Sequence, residues 1–90
     1  MIMLHFYYIT YSKSIENVQL IKDRIKQYDD CINFLDSNWF ICTEETSQEV
    51  YNKISKGEFE DDLIYVMRVN FDSYWGRMQK SVWDWIKKDR

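Results

Sequence analysis

Two stretches of the chain alternate with apolar residues on both sides, and three others are apolar along one helical face. In residues 1–11, Ile2, Leu4, Phe6 and Tyr8 fall on one side. Met3, Tyr7, Ile9 and Tyr11 fall on the other, with His5 among them. The period of two and the ring-bearing, β-branched residues predict a strand. A strand apolar on both sides belongs inside a sheet that is covered twice. Ninety residues are few for covering both faces, so the second cover is expected from another copy of the chain.

The polar break at residues 12–14 ends this strand, with Ser14 placed to cap a helix. Ile15, Val18, Ile21, Ile25 and Tyr28, broadened by Leu20, form the apolar stripe of a helix of about four turns. It is expected to end near Asp29 and Asp30. Two short strands follow, with Ile32 and Phe34 on one side of the first and Trp39 and Ile41 on one side of the second. A two-residue loop, Asp36 and Ser37, would set Phe34 opposite Trp39, Ile32 opposite Ile41 and Cys31 opposite Cys42. That register brings the cysteines within disulfide reach. Without an export signal, thiols in a reducing compartment are still expected.

Thr46, followed by Glu49 three residues on, fits a capping box. Val50, Tyr51 and Ile54 give that helix its apolar face, and Gly57 is its expected stop. Residues 63–69 form the second two-sided strand, interrupted by Arg68. Residues 70–79 follow no period. Ser81 to Asp84 again spaces like a capping box, opening a last helix with Val82, Trp85 and Ile86. The order strand, helix, strand, strand, helix, strand plus one helix predicts a single α+β domain over residues 1–90. The expected fold is ferredoxin-like: a βαββαβ antiparallel sheet, helices on one face, and an extra short C-terminal helix.

Tyr7 to Tyr11, Phe34 to Ile41 across the hairpin, and Asp62 to Val66 carry a family resemblance. Over most of its length the chain resembles the small SinR-annotated proteins. These are similar to the dimeric endoribonuclease-like subunit of CRISPR adaptation complexes and, more distantly, to VapD-type toxins. The resemblance implies a homodimer of ferredoxin-like subunits. In members with nuclease activity it also implies an aspartate at the end of the first strand that holds a divalent metal. Ser12 stands at that position here. A hydroxyl replaces a carboxylate poorly on a hard cation, which argues against metal-dependent cleavage.

Composition narrows the chemistry. The formal charge of −3 does not suit a general polyanion binder, but it is unevenly spread. Residues 44–62 carry a balance of −5 and residues 75–90 one of +3. The absence of proline and the presence of only two glycines favour regular elements with short connections. No run of apolar residues is long enough to span a membrane, and the start lacks a signal-peptide pattern, so a cytoplasmic location is expected.

His5 is the sole histidine and reads as a packed or partly exposed ring. Glu58, Glu60, Asp61 and Asp62 read as a solvated connection without calcium-loop spacing. Glycine-rich phosphate loops, CxxC pairs and nucleophile elbows are missing, so no catalytic residue, cofactor or metal is assigned.

Seven tyrosines and four tryptophans exceed what a small core encloses. Tyr7, Tyr11, Tyr74, Trp75 and Trp83, with Lys13, Arg68, Arg77 and Lys80 as neighbours, suit stacking on a base and pairing with its phosphate. The expected ligand site is Tyr7, Tyr11, Ser12, Lys13, Arg68, Trp75 and Arg77. Such rings equally suit a dimer interface, and a ligand at the dimer seam satisfies both. The expectation is a non-enzymatic homodimer that binds a nucleotide-type ligand or short nucleic acid. In its narrowest form this is a phage sponge for a nucleotide immune signal. A residual metal-dependent endoribonuclease and a protein-interaction module are the alternatives.

Overall fold

The computed structural model describes residues 3–12, 17–57, 59 and 62–90. Lys13, the Ser14 cap, Ile15 of the first helical stripe, and Glu58, Glu60 and Asp61 of the acidic run lie outside the described residues.

The chain is a small α+β protein with four strands and three helices: β1 (His5–Tyr11), α1 (Val18–Lys26), β2 (Cys31–Phe34), β3 (Asn38–Thr43), α2 (Ser47–Ser55), β4 (Ile64–Val69) and α3 (Lys80–Lys87). The strands lie in the order β2-β3-β1-β4, and every neighbouring pair is antiparallel. As its two apolar sides demand, β1 is interior, flanked by β3 and β4.

One sheet face carries Tyr7, Ile9 and Tyr11 of β1 with Trp39 and Ile41 of β3. It closes on Ile21 and Ile25 of α1 and on Val50 and Ile54 of α2. Within this layer Trp39 Nε1 donates to Tyr11 Oη at 3.2 Å, so the buried indole N–H has its partner.

The opposite face is a layer of rings, and the chain covers it with its own C-terminal third. Phe71 packs edge-on against Phe6 and Phe40, with centroids 5.1 Å away in each case. Trp85 of α3 lies over the same two rings at 5.9 and 6.1 Å, and Phe34 stacks on Phe40 at 4.5 Å. The expectation that the chain does not cover both faces unaided is therefore corrected. The third helix is not an appendage beside the other two but the cover of the other side. The irregular segment before it supplies Phe71, which no period in the sequence announces.

The hairpin register is also corrected. Phe34 pairs with Asn38, Ile32 with Phe40 and Cys31 with Ile41, one residue away from the register that a two-residue loop would give. The loop is residues 35–37, with Leu35 and Asp36 at φ 45° and 65°. Asn38 Nδ2 donates to Leu35 O, and Asn33 Nδ2 donates to Asp36 O and Asn38 O, pinning this three-residue loop. A slip of one residue exchanges faces. Phe34 therefore joins Phe40 on the ring layer, while Trp39 turns to the helix-covered core. Cys31 and Cys42, free thiols, face opposite sides of the sheet. Burial pushes both thiols above the usual range, which makes them poor nucleophiles.

The capping box forms as expected: Glu49 N donates to Thr46 Oγ1 at 3.2 Å, and Thr46 N donates to Glu49 Oε1 at 3.0 Å. Gly57, at φ 83°, turns the chain out after α2. Tyr51, placed on the apolar face by sequence, is exposed. α3 begins before Ser81, with Gln79 at the cap and no side-chain cap bond, so the second expected capping box does not form.

Candidate functional site

The expected site residues do not come together as one group. Tyr7 and Tyr11 are 2% and 5% exposed, so neither offers a ring face to a ligand. The reason is β1's central position, which turns its odd-numbered side chains into the helix-covered core. Tyr7 Oη donates to Glu45 O at 2.6 Å, and burial raises its pKa. Arg68 is exposed beside it on β4, its register partner. Ser12 sits at the end of β1, where its amide donates to Leu63 O at 2.9 Å. Trp75 and Arg77 lie together in the segment before α3. His5 is a half-buried ring set edge-on to Tyr7, at 6.3 Å.

The metal implied by the family resemblance does not fit the end of β1. The hollow there is lined by Thr10, Tyr11, Ser12, Leu63, Ile64 and Tyr65, which offer hydroxyls and apolar groups but no carboxylate for a hard cation. Among the described residues, no three His, Cys, Asp or Glu side chains gather closely enough to hold a metal ion.

A hollow of about 460 Å³ runs along the ends of α1 and α2 past Arg24, Tyr28, Asp30, Glu45 and Lys53. Four of its six charged side chains, Arg24, Asp30, Glu45 and Lys53, already have partners within the fold. Lys53 pairs with Glu45, and Tyr28 Oη donates to Glu45 Oε1 at 2.6 Å. Arg24 donates to Ile54 O and Lys56 O. Burial opposes ionisation of Glu45, but the bonds from Lys53 and Tyr28 outweigh it and hold the carboxyl below its usual range. Burial and then the Glu45 carboxylate push the Tyr28 phenol up. This is a structural network that ties α1 to α2.

The C-terminal segment is different. Tyr74 and Trp83 stack with centroids 5.6 Å apart and planes 20° from parallel, and the neighbouring Trp75 is fully exposed. These three rings border two adjoining hollows. One, of about 280 Å³, is floored by Phe40, Phe71, Val82 and Ile86, with Arg77 at its rim. The other, shallower, ends at Lys87. A volume near 300 Å³ is the lower end of ordinary ligand pockets.

The cations of this region divide cleanly. Lys80 pairs with Asp84 at 2.7 Å, and Lys88 and Arg90 pair with Asp30. Arg77 and Lys87 make no ion pair among the described residues. They stand beside the rings.

No family model, curated protein or solved structure matches the chain. Its chemistry is therefore read from the residues themselves. Among the described residues, no helix is long and apolar enough to cross a membrane.

Of the site expected from sequence, Trp75 and Arg77 remain together. Tyr74, Trp83 and Lys87 complete the group. Tyr74 and Trp83 were legible as rings in excess of a core. Lys87 is marked by its place one turn beyond Trp83 on α3, where i and i+4 share a face.

Proposed function

We propose that the chain is a non-enzymatic binding protein that takes a nucleotide-type ligand or a short nucleic acid onto the Tyr74, Trp75 and Trp83 platform. One observation carries this reading: a fully exposed tryptophan adjoins a stacked ring pair, with Arg77 and Lys87 bordering the same hollows. Rings supply a π-face to any base, contributing ~1–3 kcal/mol per base, and the cations hold the phosphate. The narrow form, a sponge for a nucleotide immune signal, belongs to the same proposal. So does kinship with the small SinR-type proteins. The βαββαβ order and the strand sequence β4-β1-β3-β2, read from the β4 edge, support a ferredoxin-like assignment.

Calorimetric titration with cyclic nucleotides, ADP-ribose and a short single-stranded oligonucleotide tests the reading. Saturable binding to one of them is expected, weakening with added salt and falling at least about tenfold in Trp75→Ala and in Arg77→Ala. Absence of binding to all three overturns it. Cleavage of labelled RNA in Mg²⁺ or Mn²⁺, abolished by EDTA, would move the reading to a metal-dependent endoribonuclease.

A further inference from the structure

β4 is an edge strand, and its composition is that of an interior one. Leu63, Tyr65 and Met67 alternate along one side, 78%, 54% and 42% exposed, with the Tyr65 hydroxyl on Met67 Sδ at 3.5 Å. Natural edges are blunted by lysine, proline, bulges or brevity. The other edge, β2, is only four residues long and has α3 against it. β4 has six residues, and Arg68 is its only charge.

Pairing with β1 fixes which backbone groups remain. Ser12 N donates to Leu63 O, so residues 63, 65, 67 and 69 direct their amides and carbonyls at β1. Ile64, Val66 and Arg68 direct theirs outward. No backbone hydrogen bond to those outward groups occurs among the described residues outside the sheet.

We infer that β4 pairs antiparallel with β4 of a second copy about a twofold axis at Tyr65, joining two four-stranded sheets into one. This inference does not rest on the ligand reading. The register follows from parity and charge. A twofold pairing must match outward-facing residues with one another, and centring it on Tyr65 sets Ile64 opposite the partner's Val66. Asp62 then falls opposite the partner's Arg68, on the same side of the sheet. On the other side Leu63 meets the partner's Met67, and the two Tyr65 side chains face each other. Every exposed apolar residue of the edge gains an apolar partner, and both charges are matched. Centring on Val66 instead would set Arg68 against Ile64. The second copy thus extends the sheet edge rather than capping the ring layer, which the chain covers itself.

The test uses the full chain. Sedimentation velocity at micromolar concentration is expected to give twice the 11.2 kDa chain mass. Arg68→Asp or Asp62→Arg alone is expected to weaken the dimer at least about tenfold, and the double exchange to restore it to within about threefold. Tyr65 and its symmetry mate form a non-hydrogen-bonded pair with Cα atoms ~4.5 Å apart, within disulfide range. Tyr65→Cys should therefore oxidise to a covalent dimer bonded at position 65. Met67→Cys should cross-link only when mixed with Leu63→Cys. A folded particle of one chain mass overturns the inference, as does a dimer in which Met67→Cys links to itself and Tyr65→Cys does not.

Discussion

The guanidinium of Arg90 lies 4.4 Å from the centroid of Trp85 and 5.0 Å from that of Phe6. It donates to both Asp30 oxygens and to Trp85 O. Although the chain around it is open, the side chain is only 10% exposed. One residue thus fastens the end of α3 to the start of β2 through charge-assisted bonds to Asp30, and to β1 through the ring of Phe6. Burial works against the charge on Asp30, but the bond and charge of Arg90, then Lys88 and the nearby Trp85 N–H, outweigh it and lower its pKa. Trp85 Nε1 itself, buried, lacks a partner in full hydrogen-bond geometry.

A carboxyl lowered by folding stabilises above its unfolded pKa and loses that contribution as pH falls through the folded value. Asp30 and Glu45 both behave so, and the loss begins near pH 4, the ordinary carboxylate range. Urea denaturation is expected to give Arg90→Ala a deficit of about 2 kcal/mol at pH 7, with a deficit that shrinks below about pH 4. Trp75→Ala, by contrast, should stay within about 0.5 kcal/mol of the parent because the ring is fully exposed. Any larger loss would mean that the ring packs somewhere.

At the scale of elements, what could be read in advance depended on whether a signal was local. Thr46 and Glu49 are three residues apart, so their cap is written in sequence and forms. Removing it by Thr46→Ala should cost about 1 kcal/mol by denaturant titration. The interior place of β1 was equally legible, because both of its sides are apolar.

The hairpin was not. Asp36, Ser37 and Asn38 all favour turns, and nothing local decides between two loop residues and three. The choice falls to Asn33 and Asn38 amides and to packing of Phe34 on Phe40, a contact across the sheet. The three-residue loop places Leu35, 63% exposed, in the left-handed region, a conformation that costs a residue with a Cβ ~1–2 kcal/mol. Leu35→Gly should therefore raise the urea midpoint by the equivalent of about 0.5–1 kcal/mol. A lowered midpoint would show that the leucine side chain is worth more than the strain it sets.

The whole molecule is a sheet with two unlike covers. Aliphatic groups of α1 and α2 close one side, and stacked and edge-on rings close the other. Phenylalanines, rather than the excess tyrosines and tryptophans noted in the sequence, make up most of that second cover. It takes Phe6, Phe34, Phe40, Phe71 and Trp85, leaving Tyr74, Trp75 and Trp83 at its margin. The candidate site was therefore half legible. Trp75 and Arg77 stand where their neighbourhood suggested. Tyr7 and Tyr11 do not, because burial is set by which face of β1 the first two helices take.

The fold-back of residues 70–90 onto the ring layer organises both the core and the site, and ring-to-ring nuclear Overhauser effects in the full chain test it most directly. Phe71 ring protons are expected to show cross-peaks to the rings of Phe6 and Phe40, both 5.1 Å away between centroids. Their absence, with random-coil chemical shifts over residues 70–90, would contradict the account.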